Sequence, residues 1–341
     1  MFRYSLGRPA ANLLAAAILM NSFLPLLNSA EVAVALTPAN FPSHSDKDVT
    51  AMFKLGKELG DYAMYIYQWG QPDFKEVAKN VVAASKASGL KPILSISPTR
   101  LEGRRDELDV PSDVRRKAGR NLTFRDKNVH LPFIEDALEL ARLKPPYLCL
   151  ATEINMLAFK DIKEYLAFAH VYKKVYAEIK KISPDTKVFV SFQWDFFHIM
   201  DEREPGKIEE HSKLIDVFRP ELDVVAFTSY PAAHFKTPAD VPADYYTNVT
   251  RHTKPSDEIA FTEIGWPSKG KGSDGSQEQF IKRLPQLLSK LKVSIVAWPL
   301  LHDVKTNSFG EDLSTTGLLT RSGEQKPGYR AFQQMRRELR R

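Results

Sequence analysis

From Glu31 onward, short runs of β-branched and aromatic residues alternate with longer stretches whose apolar positions recur every three to four residues. The short runs fall at 32–36, 62–67, 92–96, 147–151, 187–192, 224–228, 259–262 and 293–298. Each is mostly apolar on both faces, as a strand held between a barrel interior and a helical layer must be. The longer stretches are amphipathic. Residues 74–88 carry Val77, Val81, Val82, Ala84 and Ala87 on one stripe, and 162–182 carry Tyr165, Leu166, Ala169, Tyr172, Val175, Tyr176 and Ile179. Residues 280–291 and 328–339 repeat the pattern, and Gly89 and Ser183-Pro184 supply stop signals.

Eight β-then-α units in a row predict an α/β fold, the closed (β/α)8 TIM barrel, as a single catalytic domain over residues 31–341. A doubly wound open sheet is the alternative. Its first turn, Thr37-Pro38-Ala39-Asn40-Phe41-Pro42, has no glycine-rich cradle for a dinucleotide. The barrel is the better reading.

Residues 1–30 are of a different kind. Arg3 and Arg8 precede Leu13-Leu14-Ala15-Ala16-Ala17-Ile18-Leu19-Met20, and Asn28-Ser29-Ala30 places small residues before Glu31. This is the layout of a signal peptide, with an uncleaved N-terminal anchor as the competing reading. Asn21 and Pro25 interrupt the run early for a span. The expectation is a secreted or periplasmic protein with no stable membrane span after processing, acting as a monomer.

Composition changes this picture little. Of 341 residues, 43% are hydrophobic and 26% charged, which argues against global disorder. The formal charge is +6, with much of the excess in residues 100–127 and at the C-terminal Arg336-Arg337-Glu338-Leu339-Arg340-Arg341. Such runs are read here as a solvated loop and a helix end, or as an attraction for an anionic polymer. No nucleic-acid partner is expected. The one cysteine, Cys149, lies inside a strand run, so no intrachain disulfide can form. The histidines show no metal-ligand spacing, so neither a metal nor another cofactor is expected.

The candidate chemistry sits at strand ends, where a barrel carries its active site. Glu263 closes the seventh run within Phe261-Thr262-Glu263-Ile264-Gly265-Trp266-Pro267-Ser268, and Glu153 follows the fourth. Two carboxylates at the ends of core strands are the minimum equipment for hydrolysing a glycosidic bond. Aromatic rings that can stack on sugars follow other strands: Trp69 after the second, Trp194 after the fifth, Tyr230 after the sixth, and Trp298 at the end of the eighth. Arg100, after the third, has two readings. It is a cation that keeps the nucleophile ionised, or simply a member of the basic loop.

These residues carry a resemblance. The segment Phe261-Thr262-Glu263-Ile264-Gly265-Trp266-Pro267-Ser268-Lys269-Gly270 is similar to the nucleophile segment of the β-1,3-glucanase family. Leu150-Ala151-Thr152-Glu153-Ile154-Asn155 resembles the acid/base segment of the endo-β-1,4-galactanase family. Both belong to clan A of the glycoside hydrolases, which are retaining enzymes on a TIM barrel. The resemblance implies a carbohydrate substrate, Glu263 as nucleophile, Glu153 as general acid/base kept protonated by burial and a negative neighbour, and Tyr230 bonded to the nucleophile. It implies a carboxyl separation of about 5–5.5 Å rather than the roughly 6.5–9.5 Å of inverting enzymes.

One position departs from the pattern. Clan members carry Asn before the acid/base glutamate, where it binds the sugar 2-hydroxyl, and here Thr152 stands there. Either its hydroxyl makes a shorter-reach bond, or the substrate has no free 2-hydroxyl, or turnover has lapsed. The last case gives the alternative function, a non-catalytic carbohydrate-binding or polysaccharide-assembly protein on the same barrel. The 100–127 segment is expected to wall or lid the cleft, because a segment after the third strand emerges at the catalytic mouth.

Overall fold

The computed structural model describes residues 29–101, 105–305 and 310–340. Eight parallel strands close into a barrel in chain order: β1 (Glu31–Ala35), β2 (Tyr62–Gln68), β3 (Lys91–Ser97), β4 (Tyr147–Cys149), β5 (Lys187–Gln193), β6 (Val224–Ser229), β7 (Ile259–Ile264) and β8 (Val293–Trp298), with β8 pairing back onto β1. Every strand expected from the sequence is present, its ends shifted by two residues at most. Residues 1–28, where the leader reading falls, lie outside the described residues. No helix among the described residues is long and apolar enough to cross a membrane.

The helices that follow the strands are α1 (Asp46–Leu59), α2 (Phe74–Ala87), α3 (Ser112–Ala118), α4 (Lys127–Arg142), α5 (Asn155–Lys160), α6 (Ile162–Ile182), α7 (Trp194–Arg203), α8 (Ile208–Asp216), α9 (Asp274–Leu288), α10 (Glu311–Ser314) and α11 (Pro327–Leu339). One expected unit is missing. Between β6 and β7 the described residues form three 3-10 turns, Pro231–Ala233, Pro238–Asp240 and Thr247–Arg251, and no α-helix. Prolines at 231, 238, 242 and 255 explain this, since each keeps its preceding residue out of the helical region.

Which way each side chain points follows from the two-residue period of a strand. Tyr62 and Met64 of β2, Ile93 of β3, Tyr147 and Cys149 of β4, Phe189 of β5, Val224 and Ala226 of β6, Ala260 of β7, and Ile295 and Ala297 of β8 form an inner core. Their odd-numbered or even-numbered neighbours, among them Ala63, Tyr65, Leu148, Val188, Val190, Phe227, Phe261 and Val296, pack against the helices instead. Continuing the count beyond Ala226 brings Thr228 and Tyr230 to the inner side of the mouth. The same count turns Trp69, Trp194 and Trp298 outward.

Glu263 breaks this rule, and an irregularity in β7 lets it do so. Counted from Ala260, Thr262 faces in and Glu263 would face the helices. The pairing with β6 runs Phe227 to Phe261 and then Thr228 to Glu263, so Thr262 is one extra residue in the strand. A bulge of this kind re-aims the side chains that follow it. As a result Thr262 and Glu263 both border the same inner void.

Candidate active site

Glu153 and Glu263 come together at the C-terminal end of the barrel, both nearly sealed from solvent at 4% and 7% exposure. Glu153 lies past the end of β4, on a backbone turn with φ of 53°. A residue other than glycine costs about 1–2 kcal/mol in that conformation and persists only where its surroundings enforce it. Here they do. The Glu153 N–H donates to Ser191 Oγ at 3.1 Å, and the Ile154 N–H to the Ser191 carbonyl at 3.0 Å. Asn155 then clasps the Gln193 backbone from both sides, at 3.2 and 2.9 Å.

The two carboxyl groups have different partners. Thr228 Oγ1 donates to Glu153 Oε1 at 2.7 Å, and Arg105 Nη2 approaches Glu153 Oε2 at 3.1 Å. Glu263 accepts a hydrogen bond from the Tyr230 hydroxyl. Burial, and then the charge of Glu153, push the Glu263 carboxyl up to about 7; Arg105 and the Tyr230 bond pull the other way. Burial and Glu263 likewise raise the Tyr230 phenol, so it stays a donor.

Tyr230 is itself held from behind. Buried Asp195 accepts from the Tyr230 backbone N–H and Ser229 Oγ, both at 2.7 Å, from Gln193 Nε2 at 3.0 Å, and from the Tyr245 hydroxyl. Thr152, buried at 3% exposure, shares a hydrogen bond of 3.0 Å with Ser95 Oγ. It borders the inner void beneath Glu263, a space of about 10 Å³, roughly room for one water.

Four of the expected site residues lie elsewhere. Trp298 is fully buried, donates to the Thr316 carbonyl at 2.7 Å, and packs edge-on against Phe332 of α11. Trp194 is wrapped by Phe227, Tyr245, His198 and His252. Trp69 donates to Asp136 Oδ2 at 2.8 Å and packs with Phe124 and Phe133. Burying an indole contributes about 4 kcal/mol or more, so none of these rings swings out to meet a sugar. Arg100 has a half-exposed side chain 3.8 Å from Glu107, and does not reach the carboxylates.

The cation in the site is Arg105, from the same segment but five residues on. Residues 102–104, which include Arg104, lie outside the described residues. The segment is less loop-like than expected. Thr99 and Leu108 pair across its start as an antiparallel bridge, and α3 occupies its middle. Leu101 and Arg105 form part of the wall of a cleft of about 1170 Å³. Glu263 and Tyr230 line the same cleft, together with Tyr65, Tyr67 and Gln68 of β2, Phe41 and His44 after β1, and Met52 of α1 and Val77 of α2. Arg105 and Thr228 escaped the sequence reading for different reasons. Thr228 was legible from its parity with Val224 and Ala226. Nothing local in a run rich in both charges marks Arg105.

No protein-family model and no curated protein matches the sequence. Solved structures do match in fold. A glycoside hydrolase of family 5, subfamily 18, from Streptomyces cattleya, solved in complex with GlcNAc, aligns over 92% of this chain and 81% of its own, with a TM-score of 0.71 and 18% identity. A family 53 glycoside hydrolase catalytic domain from Ignisphaera aggregans aligns over 90% of this chain and 96% of its own, at 0.61 and 16%. An exo-β-1,4-mannosidase from Opitutaceae bacterium strain TAV5 aligns over 90% and 59%, at 0.68 and 12%. The chain has the (β/α)8 fold of these clan A glycoside hydrolases.

Proposed function

We propose that this protein is a retaining β-glycoside hydrolase acting on a polysaccharide or oligosaccharide outside the cytoplasm. Glu263 attacks the anomeric carbon to form a glycosyl-enzyme; Glu153 protonates the leaving oxygen and then takes a proton from the incoming water. The observation that carries this reading is one buried site holding two carboxyl groups whose charges act on each other, with Tyr230 bonded to Glu263. The fold of the glycosidase structures supports it. Glu153 is ion-paired with Arg105 in the resting site, so acid catalysis requires the guanidinium to move onto another partner.

A panel of aryl β-glycosides and β-glycans tests the reading, together with 2-deoxy-2-fluoro glycosides that slow release of the intermediate. Turnover by the wild type, a mass increase of one sugar on the Glu263 peptide, and loss of at least 10³-fold in Glu263→Gln are expected, because the nucleophile and acid/base act as a unit. The second reading, a carbohydrate-binding barrel without turnover, is favoured by Thr152, whose hydroxyl is bonded to Ser95 beneath the site. Binding without turnover in both proteins would establish it.

A further inference from the structure

The cleft has an unusual charge for a sugar site. Its lining includes Arg105, Lys305 and Arg321, while Glu263 is the one carboxylate among the described residues that line it. Arg321 comes within 3.5 Å of the Asn40 carbonyl through Nη2, and its Nε is buried without a hydrogen-bond partner. A buried donor left unmatched is unfavourable, and an arriving anion removes that penalty. The Tyr67 hydroxyl, which belongs to the same lining, is also buried and unmatched.

The apolar lining points the same way. All four tryptophans, Trp69, Trp194, Trp266 and Trp298, are fully buried, and none lines the cleft. Phe41, Tyr65, Tyr67 and Tyr230 give the lining rings, and Ser43, Gln68 and Gln71 give it neutral polar groups, so a neutral glycan would leave only the cations without a partner. A carboxylate on each sugar would draw on the guanidinium groups, whose planar forks match it in two-point geometry.

We propose that the cleft binds a carboxylate-bearing glycan, a β-linked hexuronan, with Arg321 and Arg105 as its carboxylate-binding cations. This rests on the glycosidase reading of the same site. It also supplies the missing step there. A uronate carboxylate competes with Glu153 for the Arg105 guanidinium, and its arrival lets Glu153 act as the acid. Substrate charge and readiness of the acid are then linked through one side chain.

The test separates binding from turnover by using the Glu263→Gln protein. Its affinity is measured by calorimetry for tetrasaccharides of β-1,4-linked glucuronate and β-1,4-linked mannuronate. Each is compared with its carboxyl-reduced form, and 6-O-sulfated cellotetraose is the third arm. At 50 mM salt at least one uronate should bind tenfold or more tighter than its reduced form, and the gap should narrow toward 500 mM as the charges are screened. Arg321→Gln in that background should narrow the gap at low salt as well. Tighter binding of the sulfated sugar than of either uronate would keep the anionic glycan and change its source to a sulfate. Equal or tighter binding of the reduced forms, or no binding by any anionic sugar, overturns the proposal. Wild type that binds a uronate without cleaving it refutes only the glycosidase reading. Wild type that cleaves neutral glycans and shows no preference for charge refutes only this one.

Discussion

At the scale of single residues, the site depends on a donor that faces Glu263 and a cation that faces Glu153. Tyr230 is the donor, and its hydrogen bond lowers the Glu263 pKa against the upward push of burial and of Glu153. Tyr230→Phe removes that opposing influence while leaving the ring in place. A hydrogen bond to an ionised group contributes about 1.5–3 kcal/mol, so kcat/KM on an aryl β-glycoside should fall roughly 10- to 100-fold. The direction of the pH effect is also fixed. Without its donor Glu263 ionises at higher pH, and the acidic limb of the kcat/KM profile should move upward. A fall in rate with an unmoved limb would show that Tyr230 positions substrate and does not tune the nucleophile.

At the scale of elements, strand positions were legible and strand faces were legible but easily overlooked. Apolar runs bounded by helical stretches located all eight strands. Reading a tryptophan at a strand end as a sugar platform ignored the two-residue period. With Ile295 and Ala297 inside, Trp298 must lie outside. The same period would have predicted an outward Glu263, so the correct inward placement came from the chemistry of the motif. Its cause is the extra residue at Thr262, a feature of pairing with β6 that β7 alone does not encode. Arg105 was hidden for a similar reason, since its partner Glu153 lies 48 positions away in a different βα unit. The segment that carries Arg105 is pinched by the Thr99–Leu108 bridge, which makes a clean replacement feasible. Exchanging residues 100–107 for a short Gly-Ser turn should reduce activity on a polymeric β-glycan at least tenfold more than activity on a small aryl glycoside. Loss of Arg105 from Glu153 affects both substrates alike, and the further loss on the polymer comes from Leu101, which lines the cleft. Equal losses on both substrates would assign it to folding or to catalysis alone.

For the whole molecule, the site is a cost that the rest of the barrel carries. Folding is favourable by only about 5–15 kcal/mol in a typical domain, and here it must bury two carboxyl groups at one end of the core. Glu263 makes that cost measurable through pH. Its folded pKa, pushed up to about 7 by burial first and Glu153 second, stands above the roughly 4.3 of a glutamate in an unfolded chain. A group with a raised folded pKa contributes fully below the unfolded value, and the contribution is lost as pH rises through the folded value. Wild-type stability should therefore decline from about pH 4.3 to about pH 7 on account of this residue. Glu263→Gln keeps the shape of the side chain and cannot ionise, so it should be spared that decline. The variant is expected to gain on the order of 2–4 kcal/mol over wild type at pH 8, and close to nothing at pH 4. Urea unfolding at the two pH values measures both differences. A gain that is the same at both would point to packing, and a loss at pH 8 would mean that ionised Glu263 is stabilised where it stands, with Arg105 and Tyr230 outweighing burial.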